Sequence, residues 1–197
     1  MIRLGLTGSI GMGKSTTAQM FRGEGIAVHD ADQTVHDLYA GSAAPLIEAA
    51  FPGSVSNGVV DRKLLSARVI NDADAMRRLE DIVHPLVREA EIAFLKQAKN
   101  AGARLVVLDI PLLFETGAEN RVDKVLVVTA DPQVQRQRVL ERPDMSEAKL
   151  AMILAKQMPD AEKRKRADYV INTGLGLDKA RQEVRKLIRR LNSGQTS

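Results

Sequence analysis

The chain of 197 residues carries a formal net charge of +4, with 44% hydrophobic and 27% charged residues. This composition is typical of one soluble globular domain with a sizeable buried core, and no apolar run is long enough to cross a membrane. Because there is no cysteine, disulfides, thiolate catalysis and cysteine-ligated zinc are excluded. No secretory signal pattern opens the sequence, so we expect a cytoplasmic protein without a membrane partner.

The first predicted element is a short apolar strand over 2–7, which leads into the stretch GSIGMGKS at 8–15. This stretch fills every required position of a G-x-x-x-x-G-K-[ST] phosphate-binding loop, and a helix is predicted from Lys14. Inward-pointing backbone N–H groups and the helix dipole favour bound phosphate. We expect Lys14 to bind the β- and γ-phosphates, Ser15 to ligate Mg²⁺, and Thr16 to contact the α-phosphate side. The alternative is a glycine-rich turn without a ligand.

A second strand, over 26–30, runs into the sequence HDAD at 29–32, at the sheet edge where the phosphate loop also lies. Phosphoryl transfer commonly uses an acidic group that orients and deprotonates the acceptor hydroxyl, and we assign this role to Asp32. Asp30 or Asp32 could instead cap the helix that follows, and both roles can hold at once.

The rest of the chain predicts an α/β fold with a five-stranded parallel sheet between layers of helices, because strands and longer helical patterns alternate. Three further strands are predicted, at 104–109, 123–129 and 168–172. The long connection at about 31–103 is interpreted as a helical acceptor-binding insertion, and 142–166 as a small lid. The core of this single domain, 1–197, then comprises about 1–30, 104–141 and 167–192. A frayed tail is predicted over 192–197.

Charged residues near the later strands are candidates for metal and nucleotide binding. Asp109 ends the third strand, where an acidic residue often helps to hold Mg²⁺, although a turn or cap role fits equally well. Arg142 is placed to face a nucleotide. Arg136 and Arg138 are better interpreted as charges on the solvent-facing side of a helix.

Positive charge is concentrated in residues 131–197, which hold 15 Lys and Arg against 9 Asp and Glu. The densest run, KRKR at 163–166, follows two acidic residues on a predicted helix. We therefore expect a solvated or lid surface, and no nucleic-acid partner. His84 with Pro85 fits a helix N-cap followed by a first-turn proline, and His84 is alternatively a substrate contact.

Taken together, five segments resemble the dephospho-coenzyme A kinase family. They are TGSIGMGKST at 7–16, DAD at 30–32, HP at 84–85, PLLFE at 111–115 and ADYVIN at 167–172. The likeness covers almost the full chain, in order and at the right spacing. It implies the three-layer P-loop fold of nucleoside-monophosphate kinases. It also implies transfer of the ATP γ-phosphate to the ribose 3′-hydroxyl of dephospho-CoA, with these two small molecules as partners.

The resemblance also implies roles for individual residues. Asp32 matches the catalytic base, and Arg142 matches a lid-side arginine near the nucleotide. The ATP-binding loop residues are Gly11, Met12, Gly13, Lys14, Ser15 and Thr16. The residues that fall at acceptor contacts are His84, Leu112, Leu113 and Glu115. Met12 and Met152 depart from the family pattern, which usually has a small residue and arginine there, and Lys156 could compensate for Met152.

Two alternatives remain open from the sequence. A GTPase-type switch needs a guanine-reading N-K-x-D element, and the nearest segment, NTGL at 172–175, lacks its lysine and aspartate. A kinase for another nucleotide or small metabolite would share the loop, lid and base but have a different acceptor pocket. We expect a monomer or weak homo-oligomer.

Overall fold

The computed structural model describes residues 1–193. Its strands, in chain order, are β1 (Ile2–Thr7), β2 (Ala27–Asp30), β3 (Val55–Ser56), β4 (Val59–Val60), β5 (Leu105–Asp109), β6 (Lys124–Thr129) and β7 (Tyr169–Asn172). Its α-helices are α1 (Lys14–Gly23), α2 (Ala31–Tyr39), α3 (Ala43–Ala50), α4 (Arg62–Val69), α5 (Ala73–Asn100), α6 (Pro132–Leu140), α7 (Glu147–Ala155), α8 (Asp160–Arg166) and α9 (Leu177–Asn192). Two 3₁₀ helices cover Ala118–Arg121 and Thr173–Leu175.

Five strands form one sheet in the order β2-β5-β1-β6-β7. Strand β1 pairs in parallel with both β5 and β6, so that Leu4 lies opposite Val107 on one side and Lys124 on the other. Strand β7 pairs in parallel with β6. All five residues of β5 are buried, as expected for a central strand covered on both faces. The predicted α/β fold is confirmed, and each predicted strand is observed with its start shifted by at most one residue.

By its internal contacts the chain divides into two compact units. The sheet unit comprises residues 1–29 and 98–193, and its core includes Leu6, Phe21 and Val184, all fully buried. The helical unit comprises residues 30–97, and its core is built around Ile47 and Phe51. Each unit therefore has its own hydrophobic core.

The helical unit also contains a two-stranded antiparallel sheet, β3 with β4, that the sequence analysis did not predict. Its turn is Asn57–Gly58, with φ values of 52° and 77°. Positive φ at both central residues is the geometry for which Asn-Gly is favoured, because it matches the twist of the two strands.

The interpretation of His84 as the cap of a new helix is wrong. Pro85 lies inside α5, which runs without a break from Ala73 to Asn100. Proline cannot donate the backbone hydrogen bond of a helix interior. The helix nevertheless continues, because Leu79 and Val83 before the proline are buried in the core of the helical unit and hold that half in place.

Within residues 1–193, no helix combines the length and the apolar character needed to cross a membrane. Helix α9 ends at Asn192. Residues 194–197 of the predicted frayed tail lie outside the described part of the chain.

Candidate active site

The predicted phosphate-binding motif forms the loop between β1 and α1. Gly13 is the N-cap of α1 with φ of 84°, and Gly11 has φ of 77°. Both angles lie in the left-handed region that glycine adopts without strain. A Cβ added at Gly11 would lie 2.6 Å from Cγ2 of Val139, and one added at Gly8 would lie 2.6 Å from Cγ2 of Val128. The glycines are therefore required by backbone conformation and by close packing.

Lys14 and Asp109, both predicted from the sequence, lie in direct contact. The Lys14 Nζ is 2.6 Å from Oδ1 of Asp109, whose side chain is only 1% exposed. The contact arises because β5 and β1 are parallel neighbours, and residues at their carboxyl ends meet at one edge of the sheet. The buried carboxylate holds the ammonium group beside the loop.

Ser15 and Asp109 together offer the hydroxyl and carboxylate oxygens that Mg²⁺ prefers. Ser15 is exposed at the first turn of α1. Among the described residues, no group of three or more His, Cys, Asp or Glu could hold a metal ion. One hydroxyl and one carboxylate fit a Mg²⁺ that takes its remaining ligands from phosphate and water.

Two glutamines that the sequence analysis missed hold the peptide groups of Ile10 in the loop. Gln135 Nε2 donates to the Ile10 carbonyl oxygen at 2.7 Å, and the Ile10 N–H donates to Oε1 of Gln157 at 3.2 Å. Gln135 belongs to α6, and Gln157 follows α7. The loop is thus connected to two elements far along the chain, and no sequence motif marks either glutamine.

Met12 has its side chain in the core. It is 2% exposed, and its sulfur accepts the Ala130 N–H at 3.0 Å. Its carbonyl oxygen accepts from the Thr173 hydroxyl at 2.9 Å. Because its side chain is buried, Met12 could contact ATP only through its backbone. Loops of this kind bind phosphate through backbone N–H groups.

A cleft of about 250 Å³ lies beside the start of α1. It is lined by Gly11, Gly13, Thr16, Thr17, Met20, Arg138, Arg142, Thr173, Leu177 and Ala180. The predicted Thr16 and Arg142 are both exposed and both line it. The lining therefore brings loop residues and two cationic side chains together in the sheet unit.

The expectation that Arg138 faces solvent is wrong, whereas Arg136 is exposed and pairs with Glu147. The Arg138 guanidinium is half-buried and donates to the Thr173 carbonyl oxygen and hydroxyl, both at 2.9 Å. Arg138 follows Gln135 by three positions on α6, so both lie on the face turned towards the loop.

The predicted lid, 142–166, contains α7 and α8, and its second half is bound to the rest of the sheet unit. The Met158 N–H donates to Oε1 of Glu115 at 2.8 Å, and Lys163 Nζ lies 2.8 Å from the same oxygen. Lys163 is completely buried. The expectation that the basic run at 163–166 forms a solvated surface is therefore wrong for Lys163.

The Glu115 carboxylate has its pKa set by opposing effects. Burial raises the pKa, but the hydrogen bonds from Lys163 and from the Met158 N–H lower it by more, so the net shift is downward.

The two predicted leucine contacts differ in exposure. Leu112 is 41% exposed, whereas Leu113 is fully buried, and its Cδ1 lies 2.7 Å from a Cβ built at Gly5. A contact of Leu113 with a substrate would thus involve its backbone.

In the helical unit, the two candidate aspartates have different environments. Asp30 is the N-cap of α2, and its Oδ1 accepts the Gln33 N–H at 3.0 Å. Asp32 is exposed in the first turn of that helix and lines a cavity of about 520 Å³. The cavity is lined by Asp32, Val35, Tyr39, Arg62, Leu65, Ser66, Val69 and Leu79. Asp30 therefore caps the helix, and the Asp32 side chain is left available for chemistry. The other predicted residue of this unit, His84, is exposed on α5.

The parallel sheet, the glycine-rich loop and the lysine held by a buried strand-end aspartate define a P-loop nucleotide-binding protein. Comparison with known proteins narrows this class. The dephospho-CoA kinase family model matches residues 2–178. A dephospho-CoA kinase of Mesorhizobium japonicum is 62% identical over 197 residues, covering 100% of both chains. The chain belongs to the dephospho-CoA kinase family.

One solved structure of a dephospho-CoA kinase and one further solved structure have a similar fold. A dephospho-CoA kinase structure from Campylobacter jejuni is similar with a TM-score of 0.70 and 26% identity, over 98% of each chain. The structure of TT1252 from Thermus thermophilus has a TM-score of 0.82 and 33% identity, over 100% of this chain and 98% of that one. The fold and the sequence therefore point to the same family.

Proposed function

We propose that Asp32 is the general base when this chain transfers the γ-phosphate of ATP to the ribose 3′-hydroxyl of dephospho-CoA. The chain is an ATP-dependent kinase of this family, and the products are CoA and ADP. The single observation that supports the base assignment is that the two aspartates at the start of α2 have different roles. Asp30 caps the helix, while Asp32 is exposed at the wall of a cavity in the helical unit.

On the donor side, the loop backbone from Gly11 to Thr16 and the Lys14 ammonium bind the phosphates of ATP. Arg142, in the cleft beside α1, binds the nucleotide. Ser15 and Asp109 are the residues that would hold Mg²⁺. When bound with ATP, Mg²⁺ supplies positive charge that neutralises the phosphate oxygens during transfer.

On the acceptor side, Asp32 accepts the proton of the 3′-hydroxyl and orients its oxygen towards the γ-phosphate. The exposed side chains of His84 and Leu112 and the backbone of Leu113 are the proposed acceptor contacts. Glu115 has one oxygen occupied by Met158 and Lys163, while its buried Oε2 has no hydrogen-bond partner within residues 1–193. Glu115 is the remaining proposed acceptor contact.

We further propose that residues 31–103 form the acceptor-binding insertion of a single kinase domain and that 142–166 form its lid. The enzyme acts in the cytoplasm as a monomer or weak homo-oligomer. Its partners are the two small-molecule substrates, and neither nucleic acid nor a membrane is required.

The test of the acceptor is ADP release measured side by side with dephospho-CoA, AMP, GMP, CMP and adenosine. We expect dephospho-CoA to give the highest kcat/KM and ADP release to require Mg²⁺. A higher kcat/KM for any other acceptor would contradict the proposed reaction.

A further inference from the structure

The cavity in the helical unit contains a cation without an acidic partner. Arg62 is the first residue of α4, and its guanidinium carbon lies 5.5 Å from the centre of the Tyr39 ring. Its Nη2 lies 3.4 Å from Nδ1 of His36, which must accept because arginine only donates. Within residues 1–193 Arg62 makes no ion pair with a carboxylate, whereas Arg77 and Arg88 of α5 each do. The positive charge of Arg62 is therefore held in place but not neutralised.

The other walls of the cavity define what kind of ligand would fit it. Leu65, Val69 and Leu79 are buried apolar residues. Asp32 and Arg62 are charged groups of opposite sign that line the same cavity without forming an ion pair. The volume of about 520 Å³ lies in the range of small-molecule sites, on the order of 300–1,000 Å³. A matching ligand has a flat ring whose faces pack against apolar side chains, a hydroxyl group for the carboxylate and an anion for the guanidinium.

We propose that Arg62 binds the 5′-diphosphate of dephospho-CoA, so that this cavity holds the adenosine diphosphate half of the acceptor and not its pantetheine arm. This inference rests on the proposed function, in which Asp32 meets the ribose 3′-hydroxyl. If the ribose lies at Asp32, the 5′-diphosphate is attached to the same sugar ring and must be bound close by. Arg62 is the only cationic side chain among the described residues that line the cavity.

The surroundings of Arg62 suit it to bind phosphate. The Tyr39 ring packs against the guanidinium, and such contacts reduce the freedom of an exposed arginine. His36 takes one of its five N–H groups, which leaves the others for phosphate oxygens in the paired geometry that arginine favours. Burial raises the pKa of the Tyr39 hydroxyl, and the charge of Arg62 opposes that effect. Tyr39 therefore stays neutral at physiological pH and does not compete with the phosphate for Arg62.

The test compares two acceptors that differ in the diphosphate. Arg62→Ala and wild type are assayed with dephospho-CoA and with adenosine, using radiolabelled ATP so that slow phosphorylation of adenosine is detected. We expect kcat/KM for dephospho-CoA to fall by about 10- to 100-fold, the loss typical of hydrogen bonds to a charged group. The value for adenosine should stay within about twofold, because adenosine has no phosphate for Arg62 to bind. Arg62→Lys keeps the positive charge but lacks the paired N–H donors of the guanidinium. It should give an intermediate loss of kcat/KM with dephospho-CoA.

Lys63→Ala is the matched control, because Lys63 is the next residue on α4, is exposed and does not line the cavity. It should leave both acceptors unchanged. An equal loss with dephospho-CoA and adenosine, or no loss with either in Arg62→Ala, would overturn the role of Arg62. If wild type fails to phosphorylate dephospho-CoA, it is the proposed function that is wrong, so the two failures are distinguishable.

Discussion

Lys163 and Glu115 form a buried ion pair that links α8 to the segment after β5. The Lys163 Nζ lies 2.8 Å from Oε1 of Glu115, and the lysine side chain has no exposure to solvent. The same oxygen accepts the Met158 N–H. Residues 157–166 of the predicted lid are therefore bound to the sheet unit. We expect closure over ATP to be confined to residues before Gln157.

The first prediction concerns the stability of this pair. Lys163→Ala should lower the free energy of unfolding by about 3–5 kcal/mol, because it leaves Glu115 without its buried counter-charge. Chemical denaturation measures the change. Lys165→Ala is the control, since Lys165 pairs with Glu162 at the surface and exposed pairs contribute about 0–1 kcal/mol. Combining Lys163→Met with Glu115→Gln should restore part of the stability. Equal losses for Lys163→Ala and Lys165→Ala would refute the role of the buried pair.

The second prediction is the pH dependence of the same contact. The pKa of Glu115 is raised by burial but lowered by more through Lys163 and the Met158 N–H. A carboxylate with a lowered folded-state pKa stabilises the protein above its unfolded pKa, about 4.3 for glutamate, and loses that contribution as pH falls through the folded value. The difference in unfolding free energy between wild type and Glu115→Gln should thus be constant above about pH 5 and shrink on acidification. A difference that grows in acid would contradict this assignment.

The sheet and the phosphate loop could be predicted because their signals are local. Strand β5 is an uninterrupted apolar run, and such runs are typical of central parallel strands. The ion pair of Lys14 with Asp109 was not predicted, although Asp109 was placed at a strand end and the carboxyl ends of parallel strands meet at one edge of the sheet. The Asn57–Gly58 turn carried an equally local signal, and a search for hairpins would have found it.

What could not be predicted depends on partners distant in sequence. Lys163 lies in a run of four basic residues, which locally looks solvated, and its partner Glu115 is 48 positions away. The sequence pattern around Arg138 is typical of surface charge. The pairing of β6 with β7 places Thr173 beside it, and Arg138 donates to the Thr173 carbonyl oxygen. Tertiary contacts decide both cases, and neither residue stands in a recognisable motif.

The third prediction tests the two arginines of α6 against each other. Arg138→Ala should raise the KM for ATP about tenfold, because Arg138 binds Thr173 in the wall of the cleft beside α1. Arg136→Ala should change it by less than twofold, since Arg136 is exposed and its partner is the surface residue Glu147. Steady-state kinetics with varied ATP measures both. Similar KM values for the two variants would argue against a role of Arg138 in shaping this cleft.

The fourth prediction separates the two aspartates at α2. Asp32→Asn should lower kcat by about 10²–10⁴-fold without loss of stability, as expected for removal of a general base. Asp30→Ala should lower the free energy of unfolding by about 0.5–2 kcal/mol, because it removes the cap that accepts the Gln33 N–H. Turnover at saturating substrates and thermal unfolding are measured for both variants. Near-normal kcat in Asp32→Asn would exclude Asp32 as the base.

The fifth prediction concerns Gln157, which connects the proposed lid to the phosphate loop. Its Oε1 accepts the Ile10 N–H, and Gln157→Ala leaves that donor without its partner. A neutral hydrogen bond contributes about 1 kcal/mol, so the KM for ATP should rise about fivefold while kcat changes little. Gln157→Leu has a similar size but no acceptor oxygen, and it should be as impaired as Gln157→Ala. Gln137→Ala is the control, because Gln137 is exposed and its side chain donates to Glu141 on the surface of α6. If Gln157→Leu keeps the wild-type KM for ATP, the acceptor oxygen is not what holds the loop, and the link between the proposed lid and the loop must reside in another contact.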